Sequence, residues 1–67
     1  MKFTIKKARQ YAGFTQQEIA EKLGISIKTY QNYEKGITAM RIDKAKKFSS
    51  ITNIPLSDII FLLSNYG

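Results

Sequence analysis

Residues 15–36 read TQQEIAEKLGISIKTYQNYEKG, and inside them two helical segments meet across only Gly24, Ile25 and Ser26. So short a corner leaves no slack, and the two helices have to pack directly on each other. Thr15 and Glu18 stand in the T-x-x-E spacing that satisfies two orphan N–H groups at a helix start. Phe14 and Ile19 take the staple positions that set the entry angle. Ile19, Ala20 and Leu23 form an inner face, with Ala20 small enough for a close helix approach. Gly24 suits the left-handed backbone expected at the corner, and Ile25 plugs it. Ser26 caps the next helix, Gly36 ends it, and Tyr30, Tyr33 and Glu34 face inward.

The rest of the chain carries the same punctuation. A helix over residues 5–12 is capped by Thr4 and closed by Gly13, with Ile5, Ala8, Tyr11 and Ala12 on one face. A helix over 42–52 turns Ile42, Ala45 and Phe48 inward and ends at Asn53, a residue that accepts the left-handed conformation. Ile54 and Pro55 mark a boundary, and a last helix is predicted over 56–65. No stretch alternates as a strand would. The expectation is an all-α fold: one compact five-helix domain over residues 1–67, with helices at 5–12, 16–23, 27–35, 42–52 and 56–65.

Composition narrows the function. The 67 residues include no cysteine and no histidine, so a disulfide and the usual zinc and copper ligands are ruled out. Five scattered acids supply no paired carboxylates, and there is no nucleophile–base set and no phosphate-cradling glycine loop. No enzyme, metal, cofactor or small-molecule ligand is expected. Lysine and arginine number eleven, giving a net charge of +6 and a sequence pI near 9.8, in the range of nucleic-acid-binding domains. Part of that charge, at Lys6, Lys7 and the KAKKF run over 44–48, reads equally as solvated helix face. The N-terminus has no apolar h-region, and IIFLLSNYG is far too short to span a bilayer, which takes ~20 residues. A cytoplasmic protein without membrane attachment is expected.

Once Tyr30 and Tyr33 are turned inward, Ser26, Ile27, Lys28, Gln31, Asn32 and Lys35 are left on the outer side of the third helix. A helix held outward in this way fits the major groove of B-DNA. Gln31 and Asn32 suit adenine N6 and N7, Lys28 suits guanine O6 and N7, and Ile27 suits a thymine methyl. The helix starts at Gln16 and Ser26 offer free N–H groups to phosphate.

FTQQEIAEKLGIS followed by YQNYEKG resembles the helix-turn-helix of the lambda-repressor-like, Cro/C1-type (XRE) DNA-binding domains. The likeness runs on through MRIDKAKKFSSITNIPLSDII and covers about residues 4–63. It implies that Gln16 contacts phosphate and buttresses the recognition helix. Lys28, Gln31 and Asn32 would reach base edges, and Lys35, Thr38 and Arg41 would lie along the backbone. Arg9 and Glu34 stand where some relatives form a partly buried ion pair. Three positions depart from the pattern. Arg41 replaces a capping residue, Thr52 stands where an apolar residue is usual and Ile51 could turn in instead, and Pro55 replaces another cap.

A last helix carrying Leu56, Ile59, Ile60 and Leu63 on the core leaves Phe61, Leu62 and Tyr66 on another side. An apolar surface all round implies a further partner, here a two-fold homodimer contact through Phe61, Leu62 and Tyr66. Two recognition helices would then meet successive major grooves of an inverted-repeat operator. The expected partner is double-stranded DNA. The expected role is a sequence-specific, Cro/C1-like repressor that stands alone, as in a phage or other mobile element. The alternative is an antitoxin whose apolar C-terminal helix also binds a toxin protein.

Overall fold

The first three helices begin where a side chain satisfies one of their first N–H groups. A computed structural model describes residues 2–61 and 63–64. Strand β1 (Phe3–Thr4) leads into α1 (Ile5–Ala12), followed by α2 (Gln16–Leu23) and α3 (Ile27–Lys35). Strand β2 (Met40–Arg41) then leads into α4 (Ile42–Thr52). Thr4, Thr15 and Ser26 each accept a hydrogen bond from the backbone N–H three residues on, at 3.1 Å. The Thr15–Glu18 box closes reciprocally, Thr15 N–H donating to Glu18 Oε1 at 2.8 Å. That bond, made by the Thr15 backbone, holds the Glu18 carboxyl below its ordinary range. Arg41 precedes α4 with no side-chain cap, and α4 still starts at Ile42.

The four helices among the described residues end the same way. Gly13, Gly24, Gly36 and Asn53 adopt positive φ. The N–H of the following residue then reaches back to a carbonyl five positions earlier, as in Ile25 N–H to Ala20 O at 3.0 Å. At Gly24, φ is +73°, and this reversal makes a three-residue corner between α2 and α3 possible.

The core lies where the four helices converge. Tyr30, Phe48, Ile19, Leu23 and Met40 are its largest fully buried side chains. Ala8, Ala20 and Ala45 are buried among them. Met40, which no helical periodicity marks, is fully buried on β2.

Several expectations are corrected. The described residues of the 56–65 stretch do not form a fifth helix. A single 3₁₀ turn at Leu56–Asp58 is followed by β3 (Ile59–Ile60) and β4 (Leu63–Ser64). β3 runs parallel to β1, with Phe3 opposite Ile59 and Thr4 opposite Ile60. β4 runs parallel to β2, with Met40 opposite Leu63 and Arg41 opposite Ser64. The C-terminal segment thus ties down the strands that enter α1 and α4. A short apolar run rich in β-branched residues fits helix or strand equally by pattern, and the partner strands decide it. Ile59 is buried and Ile60 exposed, the alternation of a strand.

Phe61, expected to face outward, is half-buried, its ring edge-on to Phe48 at 6.0 Å. Leu62 and Tyr66 lie outside the described residues. Thr52 is itself buried, completing the row Ala45–Phe48–Thr52, while Ile51 is only half-buried. Its hydroxyl donates to Phe48 O at 2.9 Å, which makes burial tolerable. Ile42 at the start of α4 is exposed, and so is Tyr11, whose ring lies 5.1 Å from Phe3.

Candidate nucleic-acid interface

The outer side of α3 owes its shape to what is buried behind it. Tyr30 and Tyr33 are buried. Of the other positions on α3, Ile27, Lys28 and Lys35 are exposed, and Gln31 and Asn32 are half-buried. Ser26, Thr38 and Arg41 are exposed beside them, and Gln16 is half-buried at the start of α2. The Ser26 hydroxyl is already engaged. It accepts from Thr29 N–H and lies 3.0 Å from Thr29 Oγ1, so the free donors at this end of α3 are backbone N–H groups. Arg41 Nε stands 3.8 Å from Asp43 Oδ1 with both side chains well exposed, a loose pair that leaves the guanidinium available.

Beneath this surface lies a polar cluster centred on Glu34. Arg9 Nε donates to Glu34 Oε2 at 2.6 Å, and the two side chains are 11% and 6% exposed. Arg9 Nη1 also donates to Phe14 O at 2.9 Å. Tyr30 Oη donates to the same Oε2 at 2.6 Å, and Gln16 Nε2 donates to Oε1 at 3.0 Å. Gln31 Nε2 donates in turn to Gln16 Oε1 at 3.1 Å. The network joins α1, α2 and α3 and ends on a residue of the outer face.

Its electrostatics are self-consistent. Burial alone would raise the Glu34 carboxyl pKa, but hydrogen bonds from Arg9, Tyr30 and Gln16 outweigh it and hold the group below the usual carboxylate range. The bond to Glu34 raises the Arg9 pKa further. Burial, then the bond to Glu34, pushes the Tyr30 hydroxyl well above its ordinary value, so it stays a donor. Among the described residues no buried side-chain nitrogen or oxygen lacks a partner.

Sequence patterning missed two contributors. The Tyr30 hydroxyl belongs to the Glu34 cluster as well as to the core. Lys44 Nζ donates to Leu23 O at 3.0 Å, which places a cation on the C-terminus of α2 beside the corner. Nothing local in the sequence marks that contact, because Lys44 and Leu23 are joined only by packing of α4 on α2. Among the described residues no cluster of acids could hold a metal ion, and no helix is long and apolar enough to cross a membrane.

A helix-turn-helix family profile matches residues 5–59. The chain is 42% identical over 50 residues to the HTH-type transcriptional regulator ImmR of Bacillus subtilis (strain 168), covering 75% of this chain and 39% of that protein. It is 34% identical over 53 residues to an uncharacterized HTH-type transcriptional regulator of Sinorhizobium medicae, covering 79% and 38%. A putative HTH-type transcriptional regulatory protein of Pyrococcus furiosus is 38% identical over 52 residues, covering 78% and 16%. The chain thus spans two fifths or less of the length of these relatives. No solved structure matches it significantly. The chain belongs to the XRE-type helix-turn-helix family.

Proposed function

We propose that this member of the helix-turn-helix family is a sequence-specific regulator of transcription that binds double-stranded DNA through α3. The observation that carries the reading is the outer side of α3, polar and basic, held rigid from behind by the Glu34 cluster and buried tyrosines. Lys28, Gln31 and Asn32 read base edges in the major groove, and Ile27 meets a thymine methyl. Gln16, Lys35, Thr38, Arg41 and the N–H groups at Ser26 hold phosphates. The net charge of +6 draws the protein to the duplex without regard to sequence.

The regulator acts in the cytoplasm as a Cro/C1-like repressor, two copies binding the halves of an inverted repeat. The copies meet through an apolar patch around Ile60, which stands 57% exposed. Selection of bound duplexes from random DNA tests all of this together. A site with two-fold symmetry and half-sites about one helical turn apart is the expected result. Recovery of unrelated sequences would overturn the base-reading assignment, and recovery of single half-sites would overturn the dimer.

A further inference from the structure

Behind α3 lies a row of donors and acceptors that has only one consistent polarity. Glu34 is paired with Arg9, and an ionised carboxylate can only accept. The Gln16 amide, 3.0 Å from Glu34 Oε1, must therefore offer its nitrogen. Its oxygen is left facing Gln31, which has to donate, at 3.1 Å. Tyr30 Oη also donates to Glu34 and cannot reverse the order. The Gln31 amide is then left with its oxygen and one N–H for whatever lies outside α3.

We propose that Glu34 is a positioning residue for sequence specificity: acting through Gln16, it locks the Gln31 amide so that one acceptor and one donor face the base. That combination matches the N6 donor and N7 acceptor of adenine, whereas guanine offers two acceptors, O6 and N7. Glu34 does this from behind the helix, 6% exposed and without touching DNA. The inference rests on the reading of α3 as the base-contacting helix.

Glu34→Gln isolates the effect, because it keeps the shape and adds a donor. The new amide keeps its oxygen on Arg9 and Tyr30, both donors, and turns its nitrogen to Gln16. Gln16 then reverses, and Gln31 reverses after it. Gln31 now accepts from Gln16 and leaves both its N–H groups free, the pattern that suits guanine.

The test uses the full chain, its Gln31→Ala variant and its Glu34→Gln variant, each at a temperature where circular dichroism shows it folded. Selection from random DNA locates the position that Gln31→Ala relaxes. Competition between duplexes with adenine or guanine there follows. The parent should favour adenine, and Glu34→Gln should move the ratio toward guanine by about tenfold at that position and no other. Such a ratio does not depend on the fraction of protein that is folded, so loss of stability alone leaves it unchanged. A Glu34→Gln variant that binds every duplex more weakly but keeps the parent's ratio overturns the proposal. So does a Gln31→Ala variant with all preferences intact. A parent chain that prefers no duplex overturns the base-reading helix itself, and the two failures are thereby told apart.

Discussion

Replacing Glu34 by Ala removes the acceptor on which three side chains converge. Arg9, only 11% exposed, loses its counter-charge and keeps one hydrogen bond, to Phe14 O. Breaking a buried pair on one side costs ~3–5 kcal/mol. The Tyr30 hydroxyl is left unpaired in the core, a penalty of ~1–3 kcal/mol on its own. Gln16 is half-buried and can turn to water, so it adds little. These losses share one site and do not sum, so the expected destabilisation is about 3–5 kcal/mol. For a domain of this size that corresponds to a fall in Tm of at least about 12 °C. It is also a large fraction of the roughly 3–10 kcal/mol that holds such a chain folded. Thermal melts of Glu34→Ala, Arg9→Met and the double variant Arg9→Met/Glu34→Leu measure it. The double variant should recover much of the loss, since an apolar pair leaves no buried charge behind. A single variant melting within about 0.5 kcal/mol of the parent, or a double variant as unstable as Glu34→Ala, would refute this account of the pair.

Further outcomes are expected from the same structure. Glu34 is held below its unfolded pKa, so its stabilisation is complete above about pH 4.3 and is lost as the pH falls through the folded value. Glu18 adds to the acid limb with the same sign. Melts from pH 7 down to about pH 2 should therefore show a shallower acid limb in Glu34→Gln than in the parent. Thr52→Val should leave stability within about 1 kcal/mol of the parent or raise it, because the hydroxyl bonds only backbone carbonyls of its own helix; a larger loss by chemical denaturation would argue against that. Lys35→Ala or Arg41→Ala should weaken binding to all duplexes alike and lower the salt slope by about one. An unchanged slope would count against phosphate contact.

Four helices were legible because their signals are local. Thr4, Thr15 and Ser26 sit just before apolar periodic runs, and Gly13, Gly24, Gly36 and Asn53 sit just after them. A cap acts within a few residues, so the order of letters is enough to read it. The outer face of α3 was legible by the same logic, since Tyr30 and Tyr33 had to turn inward.

The sequence by itself determined where α1, α2 and α3 start, where all four described helices stop, and which side of α3 is left outward. Only the tertiary structure decided that residues 59–60 and 63–64 are strands, because their hydrogen-bonding partners lie in β1 and β2, distant in the chain. It also decided the link from Glu34 through Gln16 to Gln31, two bonds that join α2 and α3 across separations of 18 and 15 residues. No local periodicity encodes such pairings. They exist once packing has brought the partners within reach, and an unpaired polar group there would be costly.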